Sequence, residues 1–225
     1  MDHPEKPIDL SYYPDVFETP DMKSAKEIIL TAEKEASTQE RWEKETPFLA
    51  ELIGRSLPPL PSVRVLDYGC GIGRISKELI EKHGCSCLGV DISQSMRRFA
   101  PQYVASKNFS ATSPTKLSLL VERGFRVDFA VSIWVLQHCS TPQADIALIK
   151  SVLKKNGLFF VVNNKDRCIP ALDSEQQPGW LNDSVDVLGL LREAFQEVET
   201  LAFTPTATTP EIIATTYIKL FQNTG

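Results

Sequence analysis

Short apolar runs alternate with helical stripes through the middle of the chain. Five of these runs predict strands, namely residues 63–66, 87–90, 109–111, 127–135 and 158–162. Three of the segments between them carry apolar residues at steps of three and four and predict helices, the first with Ile75, Leu79 and Ile80 on one face. Strands that alternate with helices are typical of a doubly wound, mostly parallel α/β sheet.

Two further apolar runs near the C-terminus, residues 198–203 and 212–221, predict the last two strands of a seven-stranded sheet. A loop rich in threonine and proline separates these runs, and no helix pattern lies between them. We therefore expect an antiparallel hairpin, in which one strand runs against the rest of the sheet. Asp183 is expected to cap the last helix before this hairpin.

The chain before residue 59 has a different pattern. Prolines predict an irregular segment over the first twenty residues, but Tyr12, Tyr13 and Phe17 favour packing of this segment on the rest of the molecule. An apolar stripe over residues 22–36 predicts one helix, and a capping box at residues 37–40 predicts a second. We expect residues 1–58 to form an extension with helices that act as a lid, and residues 59–225 to form the sheet domain.

Composition narrows the class of protein. The 225 residues are 42% hydrophobic with a formal net charge of −5, so we expect a globular protein without a basic surface for nucleic acid. Five cysteines without a CxxC spacing favour free thiols over a disulfide framework or a zinc site. The N-terminus lacks the layout of a signal peptide, and no apolar run is long enough for a membrane span. These features predict a cytoplasmic protein with no metal and no membrane partner.

The first predicted strand leads into an acidic residue and three glycines at alternate positions: Asp67, Gly69, Gly71 and Gly73. The dinucleotide fingerprint requires a further glycine at position 74, where this chain has Arg74, so NAD and FAD are disfavoured. Asp91 ends the next strand, where a carboxylate can accept both hydroxyls of a ribose. A tight turn without a ligand would also use glycines, but the glycine loop and Asp91 together favour a nucleoside cofactor.

Four segments resemble one known family. VLDYGCGIG at residues 65–73 and GVDIS at residues 89–93 resemble the first and second motifs of class I S-adenosylmethionine-dependent methyltransferases. Residues 128–138 resemble the fourth-strand motif of the members that act on small molecules, and residues 153–158 resemble the helix and strand that follow. The resemblance covers about residues 60 to 165. It implies S-adenosylmethionine as the cofactor and residues 59–225 as a cofactor-binding methyltransferase domain.

The resemblance also implies which residues contact the cofactor. These are Gly69 and Gly71 under the methionine part, Asp67 at its amino group, Asp91 at the ribose hydroxyls, Ile92 and Met96 beside the adenine, and Ser132 and Ile133 beside the sulfur. Family members often have an acid at the adenine amino group after the third strand, but residues 109–113 contain none. A backbone group or Thr112 is expected there instead.

Several kinds of methyl acceptor are disfavoured by motifs that this chain lacks. The Asp/Asn-Pro-Pro-Tyr signature for amino groups of nucleic-acid bases would follow the fourth strand, where residues 132–135 read SIWV. Cys139 has no neighbouring proline for attack on cytosine, and no carboxylate directly follows the fourth strand to hold a catechol-type metal. We expect a small-molecule acceptor or a small group on a carrier, and the acceptor atom stays open.

Three residues are candidates for the chemistry on the acceptor. His138 follows the fourth strand and could act as a general base, although a histidine there could also pack the loop. Tyr13 lies on the extension, and Arg167 could grip a carboxylate or phosphate. On the second predicted helix, Arg41 and Trp42 could face the acceptor, or serve as a surface residue and a core anchor.

Two functions remain open from the sequence. One is methyl transfer to a small molecule, by alignment of the reactants with possible help from a base. The other is a non-catalytic protein that binds S-adenosylmethionine as a regulator or as a subunit of a complex. The sequence makes no prediction of the oligomeric state.

Overall fold

The computed structural model describes residues 11–59 and 61–225. The strands are β1 (Ser11–Tyr12), β2 (Arg64–Tyr68), β3 (Ser86–Val90), β4 (Phe109–Thr112), β5 (Val127–Ile133), β6 (Leu153–Asn164), β7 (Ile169–Leu172), β8 (Pro178–Leu181), β9 (Gln196–Leu201) and β10 (Thr216–Gln222). The helices are α1 (Met22–Ile29), α2 (Thr38–Ser56), α3 (Arg74–His83), α4 (Gln94–Val104), α5 (Pro114–Glu122), α6 (Pro142–Val152), α7 (Val187–Ala194) and α8 (Pro210–Thr215). Two short 3-10 helices are Pro14–Phe17 and Leu136–His138.

Seven strands form the main sheet in the order β4-β3-β2-β5-β6-β10-β9. The pairs from β4 to β6 are parallel, and β10 is antiparallel to both β6 and β9. The predicted fold is therefore confirmed, including the C-terminal hairpin. Because parallel strands all end on one side of the sheet, the loops after β2, β3, β5 and β6 converge there.

Helices cover both faces of this sheet, which explains why β5 is apolar along its length. Phe129 and Val131 pack toward α2, α3 and α4, in a cluster with Leu49, Ile53 and Leu79. The opposite face packs on α5, α6 and α7 through residues such as Ala130, Leu117, Ile149 and Leu191. Each large side chain buried in this way stabilises the fold by about 1.5–3 kcal/mol. The buried framework fixes the positions of the loops at the strand ends.

The predicted first helix is too long. It ends at Ile29 rather than at residue 36, and Glu33 and Ala36 form an isolated β-bridge instead. Thr38 donates a hydrogen bond to the Leu30 carbonyl at 2.7 Å, so a side chain of α2 takes an acceptor that a continuing helix would have used. The second helix begins as predicted, with a capping box between Ser37 and Glu40.

Four further features differ from the prediction. Asp186, not Asp183, caps α7 by accepting a hydrogen bond from the Gly189 backbone. Residues 212–215 belong to α8, so the last strand starts at Thr216. Helix α5 and a small antiparallel sheet in the order β1-β7-β8 have no counterpart among the predicted elements.

The N-terminal extension packs against the sheet domain. β1 pairs with β7, and α2 contributes Leu49 and Ile53 to the main core. The predicted division at residue 58 stays a prediction. No helix in the described part of the chain is long and apolar enough to cross a membrane.

Candidate active site

A cavity of about 660 Å³ opens at the carboxyl ends of β2, β3 and β5. Its volume lies in the usual range for sites that bind small molecules. We define its glycine-loop end by Gly69, Gly71, Asp91, Ile92 and Met96. We define its histidine end by Tyr12, Phe17, Tyr68, Gln137, His138, Asp145, Cys168 and Trp180.

The glycine loop has a backbone that other residues would not adopt easily. Gly69 has φ +77°, and a Cβ atom at this position would collide with the side chain of Val135. Gly71 has φ +53°, and a Cβ there would lie 2.6 Å from Ile29 Cδ1. The loop can therefore present its backbone directly to a ligand in the cavity.

Asp91 is held by backbone groups on both of its oxygens. Oδ2 accepts a hydrogen bond from the Gly71 N–H at 2.7 Å, and Oδ1 accepts one from the Ser93 N–H at 2.9 Å. Burial raises the pKa of this carboxyl group, while these two hydrogen bonds act to lower it. Each oxygen keeps a lone pair for a further donor. A pair of ribose hydroxyls would match these acceptors.

The remaining predicted cofactor residues divide into two groups. Ile92, Met96 and Ile133 line the cavity, and Ile92 is 49% exposed, which leaves apolar surface for a ligand to cover. Asp67 and Ser132 are buried and do not line it. The contacts predicted for all of these residues stay predictions.

Asp67 is buried behind the glycine loop, away from the cavity. Its Oδ2 atom accepts a hydrogen bond from Ser76 Oγ at 2.6 Å. Burial raises its pKa to about 6, against the lowering effects of Ser76 and of the Arg74 charge. The Ser132 hydroxyl is also buried and has no hydrogen-bond partner among the described residues.

Glu18 binds the N-terminal extension to α4, the helix that follows Asp91. Both Glu18 carboxylate oxygens accept backbone hydrogen bonds at the start of α4, from Gln94 at 2.6 Å and from Ser95 at 2.9 Å. Burial acts to raise the Glu18 pKa, but hydrogen bonds from Ser95 and Gln94 outweigh it and lower the pKa. Helix α1 then lies over the cavity, which is lined by Ile28 and Ile29.

The two α2 residues with alternative interpretations are both buried. Trp42 packs with Ala25, Ile72 and Met96, and its indole N–H donates to the Tyr103 hydroxyl at 3.2 Å, so it is a core anchor. Arg41 lines the cavity, with Nε and Nη2 donating to Glu45 at 2.8 and 3.1 Å. Arg41 is therefore a buried, paired cation and not a surface residue.

His138 lines the opposite end of the cavity, with its tautomer set by neighbours. Nδ1 lies 2.5 Å from the Cys168 carbonyl oxygen, which requires a hydrogen on Nδ1. Gln137 Nε2 lies 3.3 Å from His138 Nε2, while Gln137 Oε1 accepts from the Asn164 N–H at 2.9 Å. This arrangement orients the amide as a donor and leaves the lone pair on His138 Nε2. Burial lowers the His138 pKa, so the ring is neutral at pH 7 and can accept a proton.

The tyrosine that reaches the cavity is Tyr12, not Tyr13. Tyr12, the last residue of β1, lines the cavity, while Tyr13 follows the strand and does not line it. The Tyr13 backbone N–H donates to the Pro170 carbonyl at 3.0 Å, so this residue anchors the extension to β7. Burial raises the pKa of Tyr12 to about 12, which makes its phenol a hydrogen-bond donor and not a base.

Arg167 does not face the cavity. Its Nε and Nη2 atoms donate to Asp183 at 3.0 and 3.2 Å, and Nη1 donates to the Leu136 carbonyl at 2.8 Å. These contacts use three of its five N–H donors, and the predicted grip on a carboxylate or phosphate stays a prediction. They give Arg167 a positioning role, because Leu136 begins the short helix that carries His138.

Sequence reasoning missed several residues at the histidine end. Tyr68 donates its hydroxyl hydrogen to Asp145 Oδ1, and Gln137 orients His138. Trp180 lies in β8, a strand with no counterpart among the predicted elements. The proximity of Tyr68 to the glycine loop was the one available signal, since it directly precedes Gly69. The described residues contain no cluster of three metal-ligating side chains.

Comparisons with known proteins agree with this geometry. A family model described as a methyltransferase domain matches residues 35–225. A ubiquinone biosynthesis O-methyltransferase of Coxiella burnetii is 30% identical over 109 residues, which are 48% of this chain and 46% of that protein. This chain spans about half the length of the curated relatives it matches.

Solved structures share the fold over a larger part of the chain. The CurJ carbon methyltransferase has a TM-score of 0.64 at 15% identity and covers 91% of this chain and 59% of its own. The [4+2]-cyclase SpnF has a TM-score of 0.60 at 17% identity and covers 86% of this chain and 85% of its own. At such identities, these similarities concern the fold alone.

The family match extends over most of the chain and includes the glycine loop, Asp91 and the complete main sheet. The cavity has the size and the hydrogen-bond acceptors that a nucleoside cofactor requires. The family inferred from the four sequence motifs is confirmed. The chain belongs to the methyltransferase-domain family, among the class I enzymes that use S-adenosylmethionine as their cofactor.

Proposed function

We propose that this protein transfers the methyl group of S-adenosylmethionine to a small molecule bound at the histidine end of the cavity. The observation that carries the proposal is continuity: the same cavity contains Asp91 at one end and His138 at the other. A protein that only binds the cofactor would need no base beyond it. Bound S-adenosylmethionine supplies an activated methyl group, so the chain has to provide alignment and removal of a proton.

The glycine-loop end holds the cofactor in this proposal. Asp91 accepts from the ribose hydroxyls, and the backbone of Gly69 and Gly71 allows close approach of the methionine part. Ile92 and Met96 flank the adenine. Arg41 is the one cation among the described lining residues, and because its guanidinium group is already paired with Glu45, we assign it no contact with the cofactor. Helix α1 excludes water above the glycine loop.

His138 takes the acceptor's proton on Nε2. Its neutral state and its fixed tautomer support this role, since Nδ1 is bound to the Cys168 carbonyl. The Gln137 amide donates a hydrogen bond to His138 Nε2 until the hydroxyl or amino group of the methyl acceptor replaces it. Tyr12 donates a hydrogen bond, and Tyr13 and Arg167 support the two segments that border this end. Because the Coxiella relative is an O-methyltransferase, oxygen is the first acceptor atom to test.

The test uses purified protein, methyl-labelled S-adenosylmethionine and a metabolite extract. Labelled small molecules should accumulate with the wild-type protein and not with the His138→Ala variant. Calorimetry with S-adenosylhomocysteine checks binding separately and should detect it in both proteins. Binding of the cofactor product without any labelled small molecule would contradict methyl transfer and support the non-catalytic regulator or subunit.

A further inference from the structure

Three rings from distant segments meet at the histidine end. The centroid of His138 lies 5.6 Å from Phe17 and 5.4 Å from Trp180, and Phe17 lies 6.3 Å from Trp180. The ring planes are inclined by 51° to 60°, so the edges of the rings meet and their faces are not stacked on one another. All three side chains line the cavity. Their arrangement leaves aromatic surface available to a further ring.

Trp180 is 55% exposed despite its contacts with Phe17 and His138. It lies in the short strand β8, which pairs with β7 and is fixed by that pairing. An indole held at the wall of a cavity offers a large apolar face at little conformational cost. A flat ring system is the ligand that covers such a face best.

Acidic side chains outnumber basic ones among the described residues that line the cavity. Among the described residues that line the cavity, carboxylates belong to Glu27, Glu33, Asp91 and Asp145, and the one side chain that is cationic at pH 7 is Arg41. Arg41 is already paired with Glu45. At the histidine end Asp145 accepts a hydrogen bond from Tyr68, and the neighbouring Arg167 is paired with Asp183. A second anion bound there would be repelled by Asp145 and would find no free cation in the described part of the wall.

From these contacts we propose that the methyl acceptor is a ring compound with no negative charge, stacked on Trp180 with its reactive atom at His138. The inference rests on the proposed function and names the class of its substrate. It opposes the carboxylate or phosphate acceptor that Arg167 had suggested. An uncharged phenol and a cationic ring amine share the required chemistry, and the experiment separates them.

The reaction balances with groups on this chain. The acceptor's oxygen or nitrogen forms the new bond to the methyl carbon, and the sulfur–carbon bond breaks with its electron pair going to sulfur. The proton of the acceptor goes to His138 Nε2. The transfer is redox-neutral, so it needs no oxidant or reductant.

The first test compares three probes that share one ring: catechol, dopamine and 3,4-dihydroxybenzoate. Their affinities are measured by ligand-observed NMR on protein saturated with S-adenosylhomocysteine. We expect the carboxylate probe to bind at least about tenfold more weakly than the better of the other two. Equal or tighter binding of the carboxylate probe would overturn the inference, as would no binding of either of the others. Failure of S-adenosylhomocysteine to bind at all would instead contradict the proposed function.

Two variants assign the effect to residues. Trp180→Leu should lower the affinity for the tighter-binding of catechol and dopamine by about tenfold. Leu119→Ala is the control and should leave this affinity unchanged, because Leu119 is 50% exposed on α5 and lies outside the cavity. Asp145→Asn keeps an acceptor for Tyr68 but removes the charge, so the penalty on the carboxylate probe should shrink. Thermal unfolding verifies that each variant is folded. An unchanged affinity in Trp180→Leu, or an unchanged penalty in Asp145→Asn, would overturn the inference.

Discussion

The two ends of the cavity are held together in different ways. At the glycine-loop end, Asp91 is bound by the backbone of Gly71 and Ser93, and all three residues belong to one β-α-β unit and the turn that follows it. At the histidine end, Phe17, His138 and Trp180 come from segments more than forty residues apart along the chain and meet through ring contacts. The first end is built by local hydrogen bonds, the second by packing of the small sheet on the large one.

Because of this difference, side-chain changes should have different effects at the two ends. Backbone hydrogen bonds fix the glycine-loop end whatever side chains surround it, which suits a cofactor shared by many proteins. The shape of the histidine end depends on packing between separate segments, so a sequence change in any one segment alters it. Such an end suits an acceptor that differs from one protein to another. Variants at the two ends should therefore fail in different ways, one in cofactor affinity and the other in turnover.

The largest effect is expected for His138→Ala. Loss of the base should lower turnover by about a hundredfold to ten-thousandfold, with cofactor affinity within a few fold of wild type. Burial lowers the wild-type pKa below its usual 6.5, so wild-type turnover should be constant at neutral pH and fall only as pH drops below that lowered value. The variant should lack this fall.

Steady-state rates against pH provide the measurement for His138. His83→Ala is the control, because His83 lies outside this cavity. A variant that turns over at the wild-type rate would show that His138 only packs its loop.

Asp91→Ala should act on the other end. The loss of hydrogen bonds from ribose hydroxyls to a charged group should weaken the cofactor by at least about tenfold. It should also lower the free energy of unfolding, since Gly71 and Ser93 lose their acceptor. Calorimetry with S-adenosylhomocysteine and thermal unfolding measure the two effects.

Asp128→Ala is the matched control for Asp91. Asp128 is also buried and accepts a backbone hydrogen bond, from Arg64 at 2.9 Å, but it lies outside the cavity. This variant should lose stability and keep its cofactor affinity. Equal affinities in Asp91→Ala and in wild type would remove Asp91 from the cofactor site.

The glycine-loop end could be predicted from sequence because its causes are local. Gly69, Gly71 and Asp91 follow strands whose apolar runs are visible in the sequence, and their spacing fixes where they meet. The end of α1 could not be predicted, because it depends on Thr38 reaching back to Leu30. The contacts of Arg167 could not be predicted for a similar reason: nothing near it in sequence indicates that Asp183 pairs with its guanidinium group.

Gln137→Glu should have a smaller effect with a defined direction. One carboxylate oxygen can still accept from the Asn164 N–H, and the other would face His138 Nε2 in place of an N–H donor. A negative charge there favours the protonated ring, so the acidic fall in turnover should move up by about one pH unit. The measurement is again rate against pH. A profile identical to wild type would mean that Gln137 does not act on His138.

The smallest effect is expected for Glu18→Gln. The neutral amide has an oxygen and an NH2 group in place of two carboxylate oxygens. Either the Gln94 or the Ser95 N–H would therefore face a donor instead of an acceptor, and the N-terminal extension should hold α4 less firmly. Cofactor affinity should fall only a few fold, because Glu18 is exposed and its hydrogen bonds compete with water. Asp15→Asn on the same segment is the control. A loss of cofactor affinity as large as that of Asp91→Ala would show that the N-terminal extension contributes as much to cofactor binding as the glycine-loop end does.

The position of Ile29 over Gly71 has a consequence for the order of events in a catalytic cycle. This side chain lies against the glycine loop and lines the cavity, so a cofactor bound on the loop would be covered by α1. We expect the cofactor to enter first and the acceptor to follow through the histidine end, with the methylated product departing before the spent cofactor. Release of that last ligand then requires the N-terminal extension to move away from α4, which breaks the hydrogen bonds of Glu18 to Gln94 and Ser95.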